Sequence, residues 1–313
     1  MKEKFLWGAL LIVIISWIGN YTYLQSQQVE EPIFLDHYYE VPAEENLGLK
    51  FYYLANKNDQ SQVNFVEMDD VRAFPVENGG FEMFTDNNPV HFEREFRHQQ
   101  LRSVLIKMPI DKIHLTGEEH WSFETMTVHF TNGTVMQSDI GKVVILPKLQ
   151  YIPMFEMLMS GSSNQHGSEK MLSATQAFAI QDITVPFANE VANDIAIKLD
   201  LDQQKLKQSQ KMTKKGIRPE WYMDARDKKW SDIPGVSSLV DELYPIEFKE
   251  DDLLRLSILF NPDRQSYFQF GIKLKGETTD GETFIRPTPI IDHPFLDEED
   301  VDKIIEKKGG GSE

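Results

Sequence analysis

Cysteine is absent from all 313 residues. That removes disulfides, thiolate metal sites and cysteine nucleophiles, and it excludes a lipid-modified N-terminus. Short catalytic and nucleotide-binding signatures are missing as well. The chain has no G-x-S-x-G elbow, no S-x-x-K pair, no G-x-x-x-x-G-K-[ST] loop and no H-E-x-x-H helix. These absences weaken an enzymatic reading without abolishing it, because carboxylates drawn from distant strands leave no spacing to find. Positive charge is scarce too: 32 Lys and Arg stand against 50 Asp and Glu, a formal charge of −18. So acidic a surface repels phosphate backbones, and nucleic acid is not an expected partner.

What the chain does have is one long apolar run. From Phe5 to Gly19 only Ser16 is polar, and after Lys4 no charge appears until Glu30. A helical bilayer span takes about 20 apolar residues, a length this run reaches only by including residues 20–24. Trp17, Tyr21 and Tyr23 then suit the headgroup layer as an aromatic belt. Lys2 and Lys4 precede the run, whereas Glu30, Glu31 and Asp36 follow it. The positive-inside bias therefore predicts a cytoplasmic tail at 1–4, a transmembrane anchor in the lipid bilayer at 5–24, and the bulk outside. A cleaved signal peptide has similar charge and length, but it wants small residues before the cut; Tyr21, Tyr23 and Leu24 are bulky. A buried core helix is the third reading, and the start at residue 5 behind two lysines speaks against it. An exported protein without disulfides fits the envelope of a bacterium, Gram-positive in layout, better than an animal ectodomain.

The whole chain is 41% hydrophobic and 11% aromatic, enough to build real cores. The expected fold class is mainly β: an N-terminal transmembrane helix followed by two antiparallel β-sandwich-like domains. Residues 25–47, with Pro32 and Pro42, read as a stalk. Period-two alternation then marks strands at Leu49–Phe51–Tyr53, Val90–Phe92–Phe96 and Val104–Ile106–Met108. Asn132-Gly133 predicts a two-residue hairpin turn pairing Thr131 with Thr134 and Phe130 with Val135. The first domain is placed at 48–150.

Residues 151–173 read as a methionine-rich interdomain linker, and 174–292 as the second domain. Its alternating segments are 195–202 and a three-stranded meander over 253–286, with a second two-residue turn at Asp280-Gly281. A basic insertion occupies 203–230; between 203 and 229 it holds nine Lys or Arg against three Asp or Glu. Residues 293–313 read as a short acidic helix and a flexible tail. Asp297, Glu298, Glu299, Asp300 and Asp302 resemble a calcium loop in charge alone, because the turn glycine is missing.

Two segments carry candidate site residues. Met154, Met157 and Met159, with His166 and Met171 nearby, offer thioether sulfur suited to Cu(I); methionine also simply fills irregular core gaps. In the basic insertion, Lys211, Lys214, Lys215, Arg218, Trp221, Tyr222 and Trp230 combine cations with interfacial aromatics, a docking surface for anionic lipid or an acidic wall polymer. The same stretch also reads as a solvated flap that neutralises the protein's own acids, the reading favoured by its lack of amphipathic spacing. His91 alternates outward with Glu93 and Glu95, and His98, His114, His120 and His129 are dispersed, with no tight metal-ligand spacing. No cofactor is expected.

These features predict a non-enzymatic binding or accessory protein of the cell envelope, engaging another envelope protein or a wall component. The alternatives are a hydrolase of wall glycans or peptides using dispersed carboxylates, and a methionine-based copper-binding protein.

Overall fold

The computed structural model describes residues 2–76, 92–113, 115, 119–148, 153–163, 166–214, 233 and 235–309. The fold is mainly β, with about half of the chain in strands. A first group comprises β1 (Ile33–Phe34), β2 (His37–Pro42), β3 (Gly48–Asn56), β4 (Val63–Met68), β5 (Val71–Pro75), β6 (Arg94–Glu95), β7 (Gln99–Lys107), β8 (Trp121–Phe130) and β9 (Val135–Leu146). A second comprises β10 (Phe155–Ser163), β11 (Gly167–Ala174), β12 (Phe178–Thr184), β13 (Ile195–Asp200), β14 (Val236–Ser237), β15 (Ile246–Phe248), β16 (Leu253–Phe260), β17 (Tyr267–Thr278) and β18 (Thr283–Asp292). The described residues also form three α-helices: α1 (Lys2–Ser26), α2 (Gln203–Lys214) and α3 (Glu298–Gly309).

Among the described residues no helix is long and apolar enough to cross a membrane. The sequence-based expectation of a span at 5–24 is therefore not met by that measure. Helix α1 is nonetheless apolar on all sides, and every residue from Leu10 to Leu24 is exposed, with Ile12 at 68% and Trp17 at 74%.

Two sheets organise the body. The larger follows the order β1-β3-β7-β5-β4-β8-β9-β2-β17-β12-β15, with β6 on β7 and β18 on β17; the smaller runs β10-β11-β16-β13-β14. One hydrophobic core lies inside the first group, around Phe34, Leu49, Phe51, Val66, Ile106, Val128 and Ile145, and α3 closes it with Val301 and Ile304. A second core lies between the β17–β12 part of the larger sheet and the smaller sheet, joining Phe178, Phe268, Phe270 and Ile272 to Leu172, Ile197, Leu254 and Leu256.

Strand β2 stitches the two cores together. It lies within the expected stalk, where two prolines mask a sound alternation: His37, Tyr39 and Val41 on one face, Tyr38 and Glu40 on the other. Tyr39 and Val41 enter the first core, while Tyr38 packs against the second. Both of its neighbours are parallel, β9 on one side and β17 on the other. The expectation of purely antiparallel sheets is corrected here, since a short strand flanked by distant segments leaves no hairpin signal. Gly141 makes the close approach possible. Its φ is +84°, and a Cβ there would sit 2.7 Å from the His37 nitrogen. Only glycine fits that combination.

Both hairpin turns differ from expectation by one residue. His129 pairs with Val135, and the Phe130 N–H donates to the Thr134 carbonyl at 2.9 Å. The loop is thus Thr131–Gly133, three residues, with Gly133 at φ +88° and its N–H donated to the Phe130 carbonyl at 3.0 Å. The turn after β17 repeats this plan: the Thr278 N–H donates to the Glu282 carbonyl at 2.9 Å, and Gly281 has φ +80°. A three-residue loop needs positive φ at only one position, the glycine, so Asn132 is spared that strain. Its side chain instead accepts from the Thr134 N–H at 3.0 Å.

The expected meander over 253–286 is half right in its pairing. Strands β17 and β18 pair over ten consecutive residues, but β16 lies between β11 and β13 in the other sheet. Alternation alone does not reveal which sheet a strand joins. The expected linker at 151–173 likewise holds the hairpin β10–β11.

Candidate ligand-binding cleft

The methionine segment is spread along this hairpin. Met154 is fully buried in the second core, and Met157 packs on its edge. A register shift between Met157 and Met159 turns Met159 to the opposite face, onto Met171, Leu206 and Leu253. His166 follows the far end of β10, roughly 30 Å from Met154 at 3.3 Å per residue. The fold thus brings Met159 and Met171 together on one face, with Met154 and Met157 at the second core and His166 at the far end of the hairpin. Among the described residues no group of three or more His, Asp and Glu is placed to hold a metal.

Of the basic segment, Lys211 is exposed on α2 and Lys214 ends that helix, with its side chain outside the described residues. Lys215, Arg218, Trp221, Tyr222 and Trp230 also lie outside them, as do His91 and His114. Leu206 seats α2 on the outer face of the smaller sheet. The Gln203 side chain ties it there, accepting from the Leu253 N–H and donating to the Leu253 carbonyl, both at 2.7 Å.

The same outer face holds a buried ion cluster that spacing could not reveal. Arg255 lies 3.2 Å from Glu169 through Nε and 3.8 Å from Asp200 through Nη1. The Ser257 hydroxyl donates to Glu169 at 2.9 Å. Burial pushes the Glu169 carboxyl up, against the pull of Arg255. Both carboxylates are committed to one guanidinium, as structural charge pairing demands.

A second buried titratable group marks the seam. His37 is completely buried, and its Nε2 accepts from the Tyr52 N–H at 2.9 Å. Tyr267 stacks on it at 5.3 Å and on Tyr52 at 4.0 Å. Burial lowers the imidazole pKa to about 3, so the ring is neutral.

An open concave surface lies where β3 begins and β7 ends. A hollow of about 680 Å³ is lined by Arg72, Phe74, Lys107, Met108, Ile110 and Lys112, with Glu45 and Asp111 among its acids. A second, of about 750 Å³, shares Lys112 and continues past Val71, Ile113, Leu115 and Trp121 to Glu119 and His120. Strand β5 positions the first group: Ala73 points into the core, while Arg72 and Phe74 point out, leaving Phe74 54% exposed. Phe74 pairs directly with Lys107 across β5 and β7. A 3₁₀ turn at Ile110–Lys112 then presents Lys112. Arg72 is held by Glu67 and lies 4.3 Å over the Phe65 ring. Lys107 and Lys112 have no acidic partner among the described residues, on a chain of charge −18. An apolar floor with a few convergent cations suits an anionic, partly apolar ligand. Sequence reasoning missed this site, although the outward Phe74 beside Arg72 was visible as an apolar residue on a solvent face.

No protein-family model matches the chain, and no curated protein is similar to it.

Proposed function

We propose that this chain is a membrane-anchored, extracytoplasmic binding or accessory protein of the bacterial cell envelope, without catalysis of its own. It engages another envelope protein or a wall component through the cleft around Lys107 and Lys112. The body is read as two β-sandwich-like domains sharing one sheet, tethered by residues 5–24.

The observation that carries this reading is the surface of α1. A helix apolar on every side belongs in an apolar medium, and this one is exposed from Leu10 to Ser26. Each of its Leu, Ile and Val side chains gains roughly 1.5–3 kcal/mol on leaving water. Lys2 and Lys4 before it and Glu30 and Glu31 after it set the orientation. Glu169 and Asp200 are both engaged by Arg255, which gives them less support as the acids of a hydrolase.

Photo-crosslinking in the native host tests the proposal. A crosslinking side chain replacing Phe74 in the full chain is expected to give one recurrent adduct that weakens when Lys107 and Lys112 are changed to Ala. No adduct at Phe74, or the same adduct from a probe at Asn58, contradicts it.

A further inference from the structure

We propose that the end of the body carrying residues 56–61 and 97–98 lies directly on the lipid headgroups, and that the body is held there at one attitude with its cleft facing away. This rests on the reading of α1 as an anchor.

The junction leaves no free leash. Helix α1 ends at Ser26, and the N–H groups of Gln27 and Gln28 continue its turn, donating to Leu24 and Gln25 at 3.2 Å. The Gln27 carbonyl already accepts from the Gln99 side chain at 2.6 Å. Two residues on, the Asn56 amide grips Val29 twice: it accepts from the Val29 N–H at 3.0 Å and donates to its carbonyl at 2.7 Å. Val29 itself is buried in the first core. One turn back inside α1, Tyr23 meets the His98 ring edge-on, centroids 6.3 Å apart. A flexible linker of n residues reaches about 5–6 Å times the square root of n. Here no residue between the helix and the body is free to supply that reach.

The receiving surface is itself fixed. Arg102 is buried, and its guanidinium donates to the carbonyls of Asn56, Asp59 and Ser61. Asp59 in turn accepts from the Ser61 N–H and hydroxyl, both at 2.8 Å. Charges at this end are mixed: Lys57 and Arg97 against Glu30, Glu31, Asp59 and Glu95. The attitude is therefore set by the chain path and not by attraction to anionic lipid. Along β3, Gly48 at the cleft end is eight residues from Asn56, about 26 Å at 3.3 Å per residue. That separation lifts Lys107 and Lys112 clear of the headgroup layer.

The chain has no cysteine, so one introduced thiol labels one place. The full chain carrying Asn58→Cys or Lys112→Cys, with a fluorophore, is reconstituted into phosphatidylcholine vesicles containing a headgroup-attached quencher. Quenching at position 58 is expected to exceed that at 112 several-fold. A Gly/Ser insertion of about ten residues after Ser26, with roughly 17 Å of reach, is expected to erase the contrast, and Asn56→Ala to reduce it. Adding phosphatidylglycerol is expected to leave it unchanged. Equal quenching in the uninterrupted chain, stronger quenching at 112, or a contrast that appears only with phosphatidylglycerol overturns the fixed attitude. Failure of the chain to float with the vesicles overturns the anchor reading instead, so the two failures are distinguishable.

Discussion

The two ends of the β3–β7 pair are built from the same strands and differ in almost everything else. At the Asn56–Gln99 end, side chains are spent on satisfying backbone: Asn56 on Val29, Gln99 on Gln27, Arg102 on three carbonyls. At the Gly48–Lys107 end, Lys107 and Lys112 have no acidic partner among the described residues and Phe74 faces water. Buried polar groups left unpaired cost stability, so a satisfied end resists change. Exposed cations beside an apolar ring cost little in the free protein and leave interactions to be made. One end is shaped to be held and the other to be met.

The largest effect is expected at neither end but at the seam between the cores. Gly141→Ala forces a Cβ against His37 at φ +84°, and a cost of about 3 kcal/mol or more is expected, read from the urea midpoint. Gly133→Ala is the matched control, since Gly133 has φ +88° but open space around it; about 1–2 kcal/mol is expected there.

A pH effect of comparable size acts at the same seam. Above about pH 6.5, the ordinary histidine value, neither the folded nor the unfolded chain protonates His37, and its contribution is complete. As pH falls from 6.5 toward the folded value of about 3, the unfolded chain takes up a proton that the folded chain refuses. Stability then declines by roughly 1.4 kcal/mol per pH unit, on the order of 5 kcal/mol in all. Burial also lowers the His293 pKa, in the same direction. Urea midpoints measured across that range are expected to slope less steeply in His37→Gln than in the unaltered chain.

The held end comes third. Asn56→Ala leaves the Val29 N–H and carbonyl without partners, and a loss of about 1–3 kcal/mol is expected in the denaturation midpoint. The met end comes last. Lys107→Ala with Lys112→Ala is expected to change stability by no more than about 0.5 kcal/mol, while removing the cleft's capacity for an anionic ligand. A destabilisation as large as that of Asn56→Ala would erase the distinction between the ends.

Much of the β framework is legible in the sequence because burial on one face writes a period of two. Ile197 and Leu199 against Lys198 and Asp200 give β13 directly. The same pattern is silent about partners, which is why β16 and β17 look like a meander yet enter different sheets. Strand β2 was hidden by composition: Pro32 and Pro42 suggest a stalk, while His37 is buried among aromatic rings. Hairpin loops were legible as turns but not in length, because Asn-Gly and Asp-Gly serve both two-residue and three-residue forms. The cleft was the least legible feature. Its cations come from β5, β7 and a 3₁₀ turn, and their convergence depends on register, which alternation does not fix.

The account stands or falls on whether the apolar helix stays attached. Intact-mass measurement of the chain recovered from fractionated cells tests this most directly. A membrane-fraction species that retains residues 5–24 is expected. A mature chain beginning after Leu24, or the whole product free in the cytosol, would contradict it.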